Sequence, residues 1–255
     1  MRFTLKLCTL GVLTCLTAGA FGQQTPDVPH GEHINVVFKA VSEAEVFRPA
    51  IGKPGTWPGI VLVSDDTGLD DFLRARALDL ASKGFLVVAV DPRRTMPDTI
   101  SEEFRHKRAM EELGGAISYL NSWMMSPDRV GIVGYGTGGT LALDFALADD
   151  SVRAVVVNYG TLHVQNPGVT QAHFTLLANL GALDPCTTPN QTAEALTRLH
   201  ALHVTTTIKT YPNAGHAFDR PGDAAYKAED VADQQKRTIA FITSGLRRVA
   251  QSPGL

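Results

Sequence analysis

The chain has 255 residues, of which 44% are hydrophobic and 19% charged, and its formal net charge is -3. This length and apolar content fit one large α/β domain and exclude a disordered acidic chain. The slight negative charge provides no basic surface, so no nucleic-acid partner is expected.

The first 20 residues have the three regions of a secretory signal peptide. Arg2 and Lys6 precede an apolar run over 7–16, and Ala18, Gly19 and Ala20 form a small-residue cleavage region. The apolar run is about half the length of a membrane-spanning helix. We therefore predict cleavage near Ala20 or Gly22, a periplasmic or secreted protein, and no membrane span after cleavage.

The positions of the three cysteines determine which thiols an exported protein would retain after cleavage. Cys8 and Cys15 lie in the signal segment, so Cys186 is the remaining thiol and no internal disulfide is expected. Cys15 leaves a lipoprotein as an alternative, although Thr14 before it fits such processing poorly. The stability of the exported domain must then come from its core.

The rest of the chain has the alternating pattern of an α/β protein. We predict a mostly parallel central sheet of about seven strands with helices on both faces. The predicted strands are 60–64, 85–90, 130–134, 152–158, 174–180 and 205–211, with an edge strand at 33–40. Helical spacing of apolar residues predicts helices at 73–81, 109–120, 137–148, 192–202 and 231–246. Residues 21–32 are predicted to be an exposed leader, 33–250 a single domain, and 47–58 a proline-rich surface loop.

The most informative segment is 130–139, Val-Gly-Ile-Val-Gly-Tyr-Gly-Thr-Gly-Gly. It has the pattern of a nucleophile elbow, in which a strand enters a tight turn with small residues on both sides of a central nucleophile. Gly134 and Gly138 occupy the flanking positions, and Gly136 occupies the centre. A glycine has no side-chain atom that can attack a carbonyl group, so the covalent route is closed at this position.

Polar residues follow three other predicted strands. Ligands of parallel sheets bind at the carboxyl ends of the strands, so these residues are candidates for one site. They occur at Ser64, Asp65 and Asp66, at Asp184, and at His216. The chain order of elbow, acid and histidine is the order found in α/β-hydrolases.

From about residue 33 onward the chain resembles the dienelactone hydrolase family. The resemblance rests on the segments 58–69, 84–91 and 126–135 and on the surroundings of Asp184 and His216. It implies an α/β-hydrolase fold and hydrolysis of carboxylic esters or lactones. The family usually has His-Glu where this chain has Ser64 and Asp65, and Cys or Ser where it has Gly136.

The resemblance also implies roles for single residues. Asp184 falls on the triad acid, His216 on the triad base, and Arg220 on an arginine for the substrate carboxylate. Ser64 and Asp65 would then lie beside the substrate. The backbone N–H of Thr137, at a helix N-terminus, and that of Asp66 are candidates for an oxyanion hole.

With Gly136 at the elbow, two functional interpretations remain open. The protein is either a feeble hydrolase in which His216 activates a water, or a non-catalytic binder of a small ester or carboxylate. Ser64, Thr137 and Cys186 are the candidate replacement nucleophiles, and Ser64 is the best placed.

A different class of function uses the same glycines. Gly134, Gly136 and Gly139 match a dinucleotide-binding fingerprint, but Asn158 stands where an acidic residue is expected. That interpretation leaves Asp184 and His216 without a role. No cysteine, histidine and carboxylate cluster has metal-ligand spacing in the sequence, so neither a metal nor a cofactor is predicted. The sequence does not predict the oligomeric state.

Overall fold

The computed structural model describes residues 31–34, 44–50, 52–93, 99–124, 129–164 and 168–249. The predicted signal segment 1–20 lies outside these residues. The described residues form eight strands: β1 Gly31–Ile34, β2 Ala44–Phe47, β3 Gly59–Val63, β4 Leu86–Val90, β5 Val130–Tyr135, β6 Val152–Asn158, β7 Thr175–Gly181 and β8 Thr205–Tyr211. Five helices connect or flank them: α1 Asp71–Ser82, α2 Glu102–Trp123, α3 Thr137–Ala148, α4 Pro189–Ala201 and α5 Ala228–Val249.

All eight strands form one sheet in the order β1-β2-β4-β3-β5-β6-β7-β8. The six strands from β3 to β8 pair in parallel, and only β2 runs antiparallel to its neighbours β1 and β4. The predicted mostly parallel α/β-hydrolase sheet is therefore confirmed. In a parallel sheet all carboxyl ends lie at one edge, so the turns after β3, β5, β7 and β8 converge there.

The structure corrects the sequence prediction at the amino-terminal edge of the sheet. Strand β2 was not predicted, and it raises the number of strands to eight. Strand β1 includes Gly31 and Glu32, which were assigned to the leader, and 35–40 lies outside the described residues. The buried Glu45 of β2 pairs with Arg74 of α1 at 2.8 Å, which allows a carboxylate to lie within a buried strand.

The helices agree closely with the apolar spacing. Helix α2 buries the apolar residues whose spacing predicted it, although it extends beyond the predicted range 109–120 at both ends; these residues are Ala109, Leu113, Ala116, Ile117 and Leu120. Helix α3 has the predicted bounds. Helix α4 begins three residues before the predicted start because Thr188 caps it in a capping box with Gln191, with Pro189 in the first turn. In α5, Ala232 is exposed, whereas Gln234 and Thr238 are buried.

Two apolar layers cover the sheet. One layer joins α2, α3 and α4 to one face through residues such as Leu113, Leu143 and Leu199. The other joins α1 and α5 to the opposite face through residues such as Leu73 and Ile242. None of the helices in the described part of the chain has the length and apolarity needed to cross a bilayer.

Candidate active site

The turn between β5 and α3 has the geometry of an elbow. Gly136 lies at φ 51° and ψ -123°, a conformation that L-residues adopt only under strain. A Cβ atom on Gly134 would overlap the carbonyl group of Gly138, and one on Gly138 would overlap the carbonyl oxygen of Ser64. The flanking positions therefore require glycine because backbone approaches backbone there.

The apex of this turn points toward a histidine. A Cβ atom built on Gly136 would lie 3.6 Å from Nε2 of His216 and 3.0 Å from Cβ of Asp65. A side chain at position 136 would thus be directed at the imidazole. Glycine leaves only backbone in front of that nitrogen.

His216 and Asp184 form the pair that the strand ends predicted. Nδ1 of His216 lies 3.0 Å from Oδ2 of Asp184, whose side chain is 0% exposed, while the histidine side chain is 42% exposed. The other carboxylate oxygen accepts the backbone N–H of Cys186 at 2.8 Å. Because both carboxylate oxygens have partners, Asp184 is held in place and fixes the ring with Nε2 directed toward Gly136.

Sequence analysis missed Tyr159, the residue directly after β6. Its buried ring packs edge-on against the imidazole of His216, with ring centroids 5.2 Å apart. Its φ of 44° is strained for a tyrosine, and its N–H donates to the carbonyl oxygen of Asn179 at 2.8 Å. Its position at the carboxyl end of a strand was the signal that could have identified it. The Tyr159 ring therefore helps to hold the imidazole of His216 in place by packing against it.

The two predicted oxyanion-hole residues lie together. Thr137 is the first residue of α3, so its N–H has no partner within the helix. The Thr137 hydroxyl donates to the Asp66 carboxylate at 3.1 Å, and Arg93 pairs with the same carboxylate at 3.0 Å. These contacts connect the start of α3 to the turn after β3, which brings the two backbone segments together.

Arg220 does not present a free guanidinium group to the site. Its Nη2 lies 2.9 Å from Asp65, its Nη1 bonds Asp70, and the side chain is 16% exposed. Burial disfavours its charge, but the hydrogen bond to Asp70 and the charge of Asp65 together raise the pKa of Arg220 above its ordinary value. The arginine expected to bind a substrate carboxylate is thus already neutralised by two carboxylates of the chain.

Ser64 is buried, and its hydroxyl already has a partner within the chain. Its hydroxyl donates to the Asp91 carboxylate at 3.2 Å, and the residue is 2% exposed. A serine in that hydrogen bond has no contact with an activating base. The structure places Ser64 among the supports of the β3 and β4 ends.

Cys186 lies close to the histidine–aspartate pair. Each of three residues, Asp184, Cys186 and His216, has one atom that could bind a metal, and these three atoms lie within 4.8 Å of one another. Partial burial and the Asp184 carboxylate raise the pKa of Cys186, which disfavours the reactive thiolate. Folding therefore brings together three metal-binding donor atoms that the spacing in the sequence did not predict.

Asn158 occupies the position where a dinucleotide-binding protein would have its acidic residue. The residue is fully buried, and its side-chain oxygen accepts hydrogen bonds from Asn179 at 2.9 Å and Gln234 at 3.0 Å. Its carbonyl oxygen accepts the N–H of Gly136 at 2.9 Å. Both oxygens of Asn158 are therefore used within the buried sheet, and the side chain is not accessible to the ribose of a dinucleotide.

Comparison with known proteins agrees with this geometry. The model of the dienelactone hydrolase family matches residues 43–246. The chain belongs to the dienelactone hydrolase family.

Several known proteins are similar to this chain over most of its length. A carboxymethylenebutenolidase of Pseudomonas putida is 26% identical over 219 residues, which are 78% of this chain and 92% of the relative. The crystal structure of a dienelactone hydrolase-like promiscuous phosphotriesterase from metagenomic libraries has a TM-score of 0.76 at 21% identity. It covers 86% of this chain and 99% of its own. A hyperthermophilic esterase from the archaeon Pyrobaculum calidifontis has a TM-score of 0.67 at 15% identity and covers 85% of this chain and 86% of its own.

In this member of the dienelactone hydrolase family, a cavity of about 530 Å³ opens beside Thr137. Its walls come from α2, α3 and the loops after β4 and β6, and they include Arg93, His106, Asp144 and His163. Asp144 lies 3.6 Å from His163 and 4.0 Å from His106. Burial raises the pKa of Asp144, and the two histidines act in the opposite direction. The cavity is large enough for a small ligand, and it borders the elbow at Thr137, whereas neither Gly136 nor His216 belongs to its lining.

Proposed function

We propose that this chain is an exported hydrolase of small carboxylic esters or lactones that lacks a covalent nucleophile and uses a water activated by His216. The observation that carries the proposal is the position of the imidazole. Its Nδ1 is held by Asp184 at 3.0 Å, and its Nε2 lies 3.6 Å from the place where a Cβ of residue 136 would be. The family resemblance implies that Asp184 and His216 are the acid and the base, and Gly136 stands at the position of the attacking side chain.

The site supports a balanced hydrolytic sequence. Nε2 of His216 takes a proton from a water above Gly136 while the water oxygen attacks the ester carbonyl carbon. The N–H groups of Thr137 and Asp66 stabilise the oxyanion, and Asp184 stabilises the imidazolium. When the tetrahedral intermediate collapses, the leaving alcohol takes the proton from His216. The acid and alcohol leave, and the imidazole is neutral again.

The expected rate is low. Hydrolases whose nucleophile has been removed retain roughly 10³- to 10⁴-fold acceleration over water from binding and the oxyanion hole. We expect turnover of activated esters no better than about 10⁻³ of that of a relative with a nucleophile.

The cavity and the arginines support a neutral substrate class. A volume of about 530 Å³ suits a small ester or lactone. Arg220 is paired with Asp65 and Asp70, and Arg93 with Asp66 and Glu102, so a substrate carboxylate would have to displace them. The name of the Pseudomonas putida relative, carboxymethylenebutenolidase, supports the lactone ring, whereas the carboxyl group in that name is not carried over to this chain because both arginines are paired.

The proposal includes export. The signal-like segment 1–20 supports a periplasmic or secreted location. A binder of a small ester or carboxylate without turnover is the second candidate, because Gly136 removes the covalent step while leaving the cavity. Replacement by Ser64 is less well supported, since its hydroxyl bonds Asp91.

Hydrolysis by the purified protein tests the proposal. We expect a slow, saturable hydrolysis of an activated ester that falls to the buffer rate in His216→Ala and persists in the exposed-histidine control His200→Ala. An electrophilic ester-hydrolase probe should label no side chain of the wild-type cleft, as judged by mass spectrometry. Stoichiometric labelling there, or wild-type activity retained in His216→Ala, would overturn the water mechanism. Saturable ester binding with no hydrolysis above the buffer rate would support the binder instead.

A further inference from the structure

Two turns at the carboxyl edge of the sheet bring three different metal-binding donors together. Asp184 and Cys186 belong to the turn after β7, and His216 to the turn after β8. One donor atom from each lies within 4.8 Å of the other two. This is the one such group of three that the described residues contain.

The donor types select a class of ion. Thiolate, imidazole and carboxylate are together the ligands of Zn²⁺ and related borderline ions, whereas Mg²⁺ and Ca²⁺ prefer oxygen alone. Three protein ligands with an open fourth position are typical of zinc sites that also hold water. We propose that Asp184, Cys186 and His216 bind one Zn²⁺ ion.

The arrangement needs only small adjustments to close on an ion. Zinc bond lengths of about 2.0 to 2.3 Å place neighbouring ligand atoms roughly 3.5 Å apart. Asp184 is the fixed ligand, because it is buried and its Oδ1 accepts the N–H of Cys186 at 2.8 Å. Nδ1 of His216 already lies 3.0 Å from Oδ2 of Asp184, so these two atoms must separate slightly, and the exposed Cys186 side chain can rotate toward them without repacking the core. The same exposure leaves the fourth position open to solvent.

Zinc and the hydrolytic role of His216 exclude each other. Nδ1 is the imidazole nitrogen beside Asp184, so an ion bound there replaces the hydrogen bond of 3.0 Å between them. Nε2 then carries the proton and cannot accept one from water. Zinc therefore inhibits hydrolysis. This consequence rests on the proposed function, but the binding of zinc does not.

Metal binding is measured without substrate, so its failure differs from a failure of the proposed activity. The full chain should carry Cys8→Ser and Cys15→Ser, which leaves Cys186 as its only thiol. After dialysis against a chelator, calorimetry with Zn²⁺ should give one equivalent bound. Co²⁺ should give a thiolate-to-metal charge-transfer absorption, which requires a sulfur ligand.

The variants decide the assignment. Cys186→Ser should remove the Co²⁺ charge-transfer band and weaken zinc binding at least about tenfold, while His200→Ala should change neither. Absence of zinc binding in the background protein would overturn the proposal. So would binding that Cys186→Ser leaves unchanged, since other donors, such as His106, Asp144 and His163, would then hold the ion.

Discussion

Arg220 connects three parts of the candidate site. It forms ion pairs with Asp65, in the turn after β3, and with Asp70, at the start of α1. Its guanidinium carbon also lies 4.7 Å from the centre of the Phe72 ring. Asp65 and Arg220 are largely buried, so removing either charge leaves the other poorly solvated. The residue is thus better placed to stabilise the site than to bind a ligand.

We expect Arg220→Gln to lower the free energy of unfolding by about 3 kcal/mol in urea titrations, because the buried Asp65 loses its partner. The double variant Asp65→Asn with Arg220→Gln should recover part of that loss. The partly exposed pair of Arg108 and Glu111, whose side chains are 25% and 51% exposed, provides a control, since Arg108→Gln should change stability by less than about 0.5 kcal/mol. An Arg220→Gln protein of wild-type stability with impaired substrate binding would restore the ligand role implied by the family resemblance.

Asp219, three residues after His216, makes stability depend on pH. Burial raises the pKa of Asp219, and the hydrogen bond from Gln234 opposes this only in part. The folded state therefore holds the proton more tightly than the unfolded state. The stabilisation that protonated Asp219 contributes is fully present below the pKa that this residue has in the unfolded chain. It is lost as the pH rises through the higher pKa of Asp219 in the folded protein.

We expect Asp219→Asn to remove this dependence. Thermal unfolding of the wild type should lose stability between about pH 4 and the folded pKa of Asp219, and the variant should lose less over the same range. A variant that is destabilised at neutral pH but unchanged near pH 4 would show that the ionised carboxylate is stabilising, contrary to this account.

The elbow is the element that most constrains the sequence. A Cβ on Gly138 overlaps the backbone of Ser64, whereas a Cβ on Gly114, within α2, has its nearest neighbour, a ring atom of Phe145, at 3.9 Å. Gly138→Ala should lower the free energy of unfolding by at least about 2 kcal/mol in urea titrations. The helical control Gly114→Ala should raise it by about 0.5 to 1 kcal/mol. Equal stability of both variants would contradict the close backbone contact at the elbow.

Elements with a local signal could be predicted from the sequence. The apolar spacing identified α2, and the glycines that fix the elbow also fixed the start of α3. Strand β2 was missed because it has four residues, and its buried Glu45 depends on Arg74, a residue 29 positions away. The start of α4 had a local signal in Thr188 and Pro189, which the apolar spacing alone did not include.

In the candidate site, too, some features could be predicted from the sequence and others depend on residues that are distant along the chain. Strand ends predicted the meeting of Asp184 with His216, because parallel strands place their carboxyl ends together. The ion pairs of Arg220 reach 150 and 155 positions along the chain, so the sequence could not show that the guanidinium is occupied. The approach of Cys186 to His216 likewise depends on two turns that only the folded sheet brings together.

At the scale of the whole molecule, the parallel sheet places the site at one edge, and the sequence of residues 1–20 predicts export. We expect expression in a Gram-negative host to give periplasmic or secreted protein that begins after Ala20 or Gly22, as measured by intact mass. Leu10→Arg, which interrupts the apolar run, should leave full-length precursor in the cell. Export of a protein that retains residues 1–20 would contradict cleavage and favour an anchor.

The central claim is that Asp184 and His216 are poised at an apex that offers only backbone. Installing a nucleophile tests it most directly, by comparing ester hydrolysis in Gly136→Ser, Gly136→Cys and the matched control Gly136→Ala. All three add the same Cβ, which must displace Asp65 slightly and accept a strained φ, so differences among the folded variants report the new hydroxyl or thiol.

We predict that Gly136→Ser or Gly136→Cys raises the hydrolysis rate at least about tenfold over wild type and becomes labelled at position 136 by an ester-hydrolase probe, while Gly136→Ala does not. Folded Ser and Cys variants that remain as slow and as unlabelled as Gly136→Ala would contradict the account.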